Sequence, residues 1–191
     1  MVIRYDSPDT VATSSRVLSS VGVAVLPCDT IYGLCGIAPE SETRLREIKG
    51  RGFDSPFIVL IPSIESLSEI VDQQIDSSLS SLWPGPITLV FRSKRGGTVG
   101  VRLPDSAFLR DVMQECGPIY STSVNRSGSP PLSEIDAIVE EFGNAVDLIV
   151  DAGDLPDRPP STVIDASGEV PRVLRRGAGR IPDWIEDGES G

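Results

Sequence analysis

Apolar residues fall along this chain in short runs, each ended by proline, glycine or a polar cluster. Val23–Leu26 (stopped by Pro27), Phe57–Ile61, Ile87–Phe91, Val99–Leu103, Ile119–Ser123, Val146–Val150, Thr162–Ile164 and Arg172–Arg175 read as strands. Helical spacing appears between them. Ser7-Pro8 opens a segment carrying Val11, Val17, Leu18 and Val21 and ending at Gly22. Glu40–Lys49 suits a helix with Leu45 and Ile48 inward, and Ser63–Val71 and Ile75–Leu82 suit two short ones. Ala107–Cys116, closed by Gly117-Pro118, and Ser133–Phe142 complete the set. Gly33 and Gly36 read as punctuation of a turn, and Trp83-Pro84-Gly85-Pro86 as a rigid one. Some strands follow one another with no helix between, which favours a twisted, mixed α/β sheet with flanking helices. One domain is expected over residues 1–181, followed by an acidic, flexible tail over 182–191.

Composition narrows the chemistry. The 191 residues contain no histidine, which excludes Ser-His-Asp and Cys-His triads and any histidine-ligated metal. Three cysteines, Cys28, Cys35 and Cys116, form no CxxC pair and leave an odd count, against a disulfide framework or a zinc site. The N-terminus has no apolar core of a secretion signal and no run reaches the ~18 residues of a membrane span, so a cytoplasmic location is expected. A net charge of −11 argues against a tight grip on a long RNA. A small anion needs only a few converging cations.

Four polar clusters sit at the ends of apolar runs. Pro27–Leu34, taken alone, reads first as a strand-to-turn junction, with Asp29 and Thr30 capping backbone, and only second as part of a site. Lys49-Gly50-Arg51-Gly52 suits a helix C-terminus but also a flexible cationic segment able to approach phosphates. Ser121–Gly128 is dense in hydroxyl and amide donors without a carboxylate, as anion-binding loops are. Ser161–Asp165, with Arg172, Arg175 and Arg176 downstream, is either cap and solvated face or a second lobe of the same site. Arg102 interrupts an apolar strand, so it is edge-exposed or aimed at an anion, a carboxylate being its natural bidentate partner.

Together and in this order the clusters resemble the YrdC-like family of threonylcarbamoyl-AMP synthases. PCDTIYGL is similar to its P-T-D-T-x-Y-G-L signature, IKGR to K-x-R, LWPGPITLVF to L-W-P-G-P-x-T-L-V and VGVRLP to V-G-V-R-x-P. STSVNRSG resembles S-T-S-A-N-x-S-G, and STVID and VLRRG resemble the closing S-T-V-x-D and R-x-G segments. The resemblance runs from about Val21 to Gly177 and implies a concave ligand-binding face. It implies that threonine, bicarbonate and ATP give threonylcarbamoyl-AMP and pyrophosphate, feeding threonylcarbamoyladenosine synthesis in tRNA. In residues, it implies phosphate contacts from Lys49 and Arg51, nucleotide or carbamate contacts from Ser123 and Asn125, and closure by Arg175. Thr30, Arg102, Thr122 and Ser161 would hold threonine. Mg²⁺ would arrive with ATP, no protein side chain being assigned to it. Departures are Cys28 where Thr is usual, Gly52 where Pro is common, Ser55 where Lys or Asn often precedes the proline, Leu60 at a position that is His in some longer relatives, and Val124 for Ala.

The resemblance further implies the short form of the family, without a second C-terminal domain. Product would pass transiently to the machinery that transfers threonylcarbamoyl to tRNA, with weak or no direct tRNA binding and no membrane contact. Two rivals remain at this point: a carbamoyl-transfer module of hydrogenase-maturation type, and a non-catalytic RNA-binding module. On the phosphate reading, Arg51→Ala and Lys49→Ala would each weaken ATP binding while leaving the ligand-free melting temperature almost unmoved.

Overall fold

The structure is a computed structural model and describes residues 1–50, 52 and 56–187. Its framework is a single mixed sheet. In chain order the strands are β1 (Val2–Arg4), β2 (Val23–Pro27), β3 (Tyr32–Ile37), β4 (Ile58–Leu60), β5 (Ile87–Arg92), β6 (Thr98–Arg102), β7 (Ile119–Ser123), β8 (Leu148–Asp151), β9 (Thr162–Asp165), β10 (Arg172–Arg175) and β11 (Glu186–Asp187). The helices are α1 (Thr10–Ser19), α2 (Glu42–Lys49), α3 (Leu67–Ile70), α4 (Ser77–Ser80), α5 (Ala107–Cys116) and α6 (Ile135–Phe142). Across the sheet the order is β1-β8-β2-β3-β7-β4-β6-β5-β9-β10-β11. Pairing is antiparallel along β2-β3-β7-β4, and β4–β6 and β5–β9 are parallel. This is the mixed α/β architecture that the interleaved pattern implies.

The local rules of helix formation are visible in α5. Ser106 lies in an extended conformation and its hydroxyl accepts from the Leu109 N–H. Phe108, Leu109, Val112 and Met113 form one buried stripe, and Gly117 ends the helix at φ 88°. In α1 the buried stripe is instead Thr10, Ser14, Ser15 and Leu18. Burial of these hydroxyls is tolerated because each bonds a carbonyl nearby, Ser14 to Thr10 O at 2.7 Å and Ser15 to Val11 O at 2.9 Å. Val21, expected within the helix, lies beyond its end and is exposed, at φ 60°.

Two expectations are corrected. Gly33 and Gly36 lie inside the buried strand β3, not in a turn. Glycine is there for close approach: a Cβ on Gly33 would come within 2.7 Å of Ser121 Oγ, and one on Gly36 within 2.5 Å of Ser41 Cβ. The turn is the shorter Asp29–Thr30 connection, closed by the Cys28 N–H to Ile31 O bond at 3.2 Å. The segment expected as a flexible tail from residue 182 is described to Asp187, and over that stretch it is held. Ile185 is buried in a core cluster and Glu186–Asp187 pairs in parallel with β10. Among the described residues no helix is long and apolar enough to cross a membrane.

The core divides into three clusters that explain where a ligand could enter. One packs α1 and α5 on one face of β8, β2, β3 and β7. A second packs α2 and α6 on the opposite face of that same half. The third packs α3, α4 and Trp83 on one face of β4, β6, β5, β9 and β10. On the other face of that half β4 still joins the α5 cluster through Leu60, and among the described residues β6, β5 and β9 have no helix over them.

Candidate functional site

Alternation along the strands decides what that open face carries. Ile87, Leu89 and Phe91 of β5 point into the core, so Thr88 and Val90 point the other way. By the same parity β6 turns Val101 and Leu103 inward and Gly100 and Arg102 outward, and β4 turns Val59 and Ile61 inward and Ile58 and Leu60 outward. The outward set floors a cleft of about 540 Å³, walled by Thr30, Gly33, Ser121, Thr122, Ser123, Ser161 and Arg175. Its lining holds two arginines and many hydroxyls and no carboxylate among the described residues, on a chain of net charge −11. A second hollow, of about 640 Å³, lies at the far end of the molecule beside α1. It includes Asp9 and Asp147, and its Arg44 is already paired with Asp147 at 2.6 Å, so it lacks the convergent donors of the cleft.

Arg102 is buried at the end of β6, which settles the choice between an edge and an anion. Its Nη2 lies 2.5 Å from Asp29 Oδ1, both side chains being almost wholly shielded. Nε donates to Gly85 O at 2.9 Å and Nη1 to Thr30 Oγ1 at 3.4 Å. The second Asp29 oxygen accepts from the Asp105 N–H at 3.1 Å. The strand end, the Trp83–Pro86 turn and the Asp29–Thr30 turn are thus fastened to one guanidinium. Removing one partner of such a buried pair costs roughly 3–5 kcal/mol, because the other charge is left uncompensated. Nη2 is sealed from solvent against Asp29, so what Arg102 has left for an incoming acceptor is the second N–H of Nη1.

Lys49 and Asn125 are placed differently from the sequence expectation. Neither lines the cleft; both stand behind Ser123, buried. Lys49 Nζ donates to Ser123 O and Asn125 Oδ1, each at 2.6 Å, and contacts Ser123 Oγ and Asn125 O at 3.3 Å. Ser123 Oγ also donates to Asn125 Oδ1 at 2.6 Å. Gly50 caps α2 at φ 64°, as a helix-end reading of Lys49-Gly50 requires, but the ammonium turns inward, not to solvent. In this state Lys49 is a strut for the β7 loop. With these contacts, Lys49→Ala is expected to lower the ligand-free stability, against the sequence expectation that it would barely move it. Arg51, expected beside it on phosphate, lies outside the described residues.

The remaining predicted residues meet at the cleft's other wall. Ser161 Oγ bonds Thr88 Oγ1 at 2.8 Å, and Arg175 Nη2 donates to Ser161 O at 2.9 Å. Burial pushes the Arg175 guanidinium below its usual range, which a phosphate neighbour would reverse. Thr162, adjacent, accepts from Gly177 N–H at 3.0 Å and donates to Gly179 O at 2.8 Å, tying the loop after β10 to the wall. Gly177 admits no side chain, since a Cβ would come within 2.1 Å of Pro160 O. Thr30, Arg102, Thr122, Ser123, Ser161 and Arg175 therefore share one cleft. Thr88, Ser121 and Asp29's part in holding Arg102 were missed. Thr88 was within reach, as the polar residue at even parity in an apolar strand; Asp29 was not, because its partner is distant in sequence.

Comparison with known proteins bears on the fold and the family. The family model Sua5_yciO_yrdC, described as telomere recombination, matches residues 16–177. A threonylcarbamoyl-AMP synthase of Escherichia coli O1:K1 is 32% identical over 182 residues, covering 85% of this chain and 94% of that protein. A threonylcarbamoyl-AMP synthase of Pyrococcus abyssi is 34% identical over 180 residues, covering 86% of this chain and 52% of the archaeal protein. The solved structure of Pyrococcus abyssi Sua5 complexed with L-threonine superposes with a TM-score of 0.83 at 27% identity, over 93% of this chain and 57% of that one. Thermococcus kodakarensis HypF shares the fold, with a TM-score of 0.80 at 18% identity over 92% of this chain and 25% of its own length. The match spans both the two-sided half of the sheet and the cleft beside it, and the chain belongs to the Sua5/YciO/YrdC family.

Proposed function

We propose that this chain is a threonylcarbamoyl-AMP synthase, and that the cleft on the open face of the sheet is its active site. The observation that carries the reading is the lining itself: Arg102 and Arg175 among hydroxyls, without a carboxylate, in a strongly acidic protein. Such a surface favours a ligand with several negative oxygens. The reaction begins when the threonine amine takes up bicarbonate with loss of water, giving a carbamate. A carbamate oxygen then attacks the α-phosphorus of ATP, the bond to the β-phosphate oxygen breaks, and pyrophosphate leaves.

This chemistry needs positioning and charge neutralisation and no histidine nucleophile. The remaining Nη1 N–H of Arg102 would take the threonine carboxylate, with Thr30, Thr122 and Ser161 around it. Arg175 and Ser123 would face the nucleotide, and Lys49 and Asn125 would hold Ser123 in place. The described residues hold no group of three or more cysteine and acidic side chains suited to a metal, so this donor set fits a Mg²⁺ ion carried on the ATP phosphates. The ion would supply charge neutralisation there. Product would pass to a transferase acting on tRNA.

The carbamoyl-transfer rival is not favoured, since the relatives of higher identity are named synthases. The deciding experiment supplies ATP, Mg²⁺, bicarbonate and threonine and follows pyrophosphate and adenylate by mass spectrometry. Pyrophosphate release should require both threonine and bicarbonate. Serine should be a poorer substrate, the missing methyl being worth about 1 kcal/mol in an apolar spot. A requirement for carbamoyl phosphate, or no adenylate at all, would defeat the proposal.

A further inference from the structure

On the floor of the cleft one hydroxyl stands behind another. Thr88 has no surface open to solvent and Ser161 is 3% exposed, yet both line the cleft. Their oxygens lie 2.8 Å apart, and among the described residues neither hydroxyl bonds any other group. Thr88 pairs with Val163 of β9 on one side. On the other side β5 pairs Leu89 with Val101 of β6, so Thr88 and Arg102 are the next neighbours on the open face. The Thr88 methyl is turned to β6, since a Cβ on Gly100 would lie 3.3 Å from Thr88 Cγ2. Its hydroxyl is thereby left on the β9 side, where the stiff χ1 of a β-branched residue holds it.

Burial decides which of the two oxygens gives its proton. If Ser161 donated to Thr88, the Thr88 O–H would be buried without an acceptor, which is the costly arrangement. With Thr88 as the donor its proton is met, and the Ser161 proton is left to turn into the cleft. We propose that Thr88 is a positioning residue: its hydroxyl donates to Ser161 Oγ and so fixes Ser161 as a donor to an oxygen of the amino-acid ligand, beside Arg102. This rests on the reading of the cleft given above and adds the polarity of one subsite to it. The subsite takes a carboxylate or hydroxyl oxygen and rejects an ammonium, in keeping with a lining of arginines and hydroxyls. Ser161 is held from the side as well, because its carbonyl accepts from Arg175 Nη2 at 2.9 Å.

The test measures threonine binding to the full chain by calorimetry, with the ligand-free melting temperature alongside. Thr88→Val replaces the hydroxyl by a methyl of similar size, whereas Thr88→Ser keeps the hydroxyl. Thr88→Val should weaken threonine about threefold to tenfold, the net worth of one hydrogen bond, and Thr88→Ser should bind within about twofold of the native chain. In a Ser161→Ala chain the same Thr88→Val change should alter threonine affinity by less than about twofold, because the group it directs is gone. An equal loss in both backgrounds, or no loss in the native one, overturns the proposal. So does a lowered melting temperature with threonine affinity unchanged, which is what a purely structural Thr88 would give. These outcomes are read on a native chain that binds threonine; one that binds neither threonine nor ATP overturns the synthase reading, and this inference with it.

Discussion

Strands β2, β3, β7 and β8 carry helices on both faces, whereas β5, β6 and β9 carry them on one. In the first region, where both faces are covered, both parities are apolar, as in Val23-Ala24-Val25-Leu26 of β2, all fully buried, whereas β3 and β7 run on to the cleft at Gly33 and Ser121–Ser123. In the second, one parity is apolar and the other is released for chemistry, which is where Thr88, Gly100, Arg102 and Ser161 stand. The two-sided half supplies rigidity. The one-sided half leaves a polar face open to the cleft, and its polar groups are held by their neighbours: Thr88 by Ser161, Arg102 by Asp29.

The strongest way to break this comparison is to truncate a large apolar side chain in each region. Phe142, fully buried between α6 and the two-sided sheet, should lose about 3–5 kcal/mol on change to Ala. Leu174, on the cleft rim and 61% exposed, should lose no more than about 0.5 kcal/mol on the same change. Urea unfolding measures both, and similar losses at the two sites would end the distinction.

A smaller effect sharpens the boundary between the regions. Lys49→Met keeps the length of the side chain but strips Ser123 O of its ammonium donor and leaves Asn125 Oδ1 with the Ser123 hydroxyl alone. Stability should fall by about 1–3 kcal/mol before any ligand is added. A ligand-free melting temperature equal to that of the native chain would mean that Lys49 acts on phosphate alone.

The smallest effect belongs to the two-sided half and to acid. Burial pushes the Asp147 carboxyl upward, but hydrogen bonds from Arg44 and the Val23 N–H outweigh it and hold the group below the ordinary value of 3.8. A folded value below the unfolded one stabilises above the unfolded value and loses that contribution as pH falls through the folded one. With both partners partly exposed, the contribution should be about 0.2–1 kcal/mol. Melting curves of Asp147→Asn and the native chain should therefore differ near neutral pH and converge in strong acid; a gap independent of pH would refute the assignment.

Much of the fold was legible because it depends on neighbours in sequence. Ala107–Cys116, Ile119–Ser123 and Arg172–Arg175 were readable to their ends from period and punctuation. β1 and β11 were not: they are strands of three and two residues whose pairing partners, β8 and β10, supply the order that their own patterns lack. Gly33 and Gly36 misled for a related reason. A glycine chosen for a turn and one chosen for a close neighbour are the same letter, and the neighbours here are Ser121 and Ser41.

By itself the sequence determined the class of fold, the residues able to bind anions and the resemblance that joins them, because residue type, parity and order are local properties. Tertiary structure alone decided which of those residues face a ligand. Arg102 meets Asp29 across 73 positions and Lys49 meets Asn125 across 76, so the first is a cleft group held by a carboxylate and the second a strut behind the wall. Burial and pairing of a charge depend on what long-range contacts bring beside it, and no spacing along a chain records that.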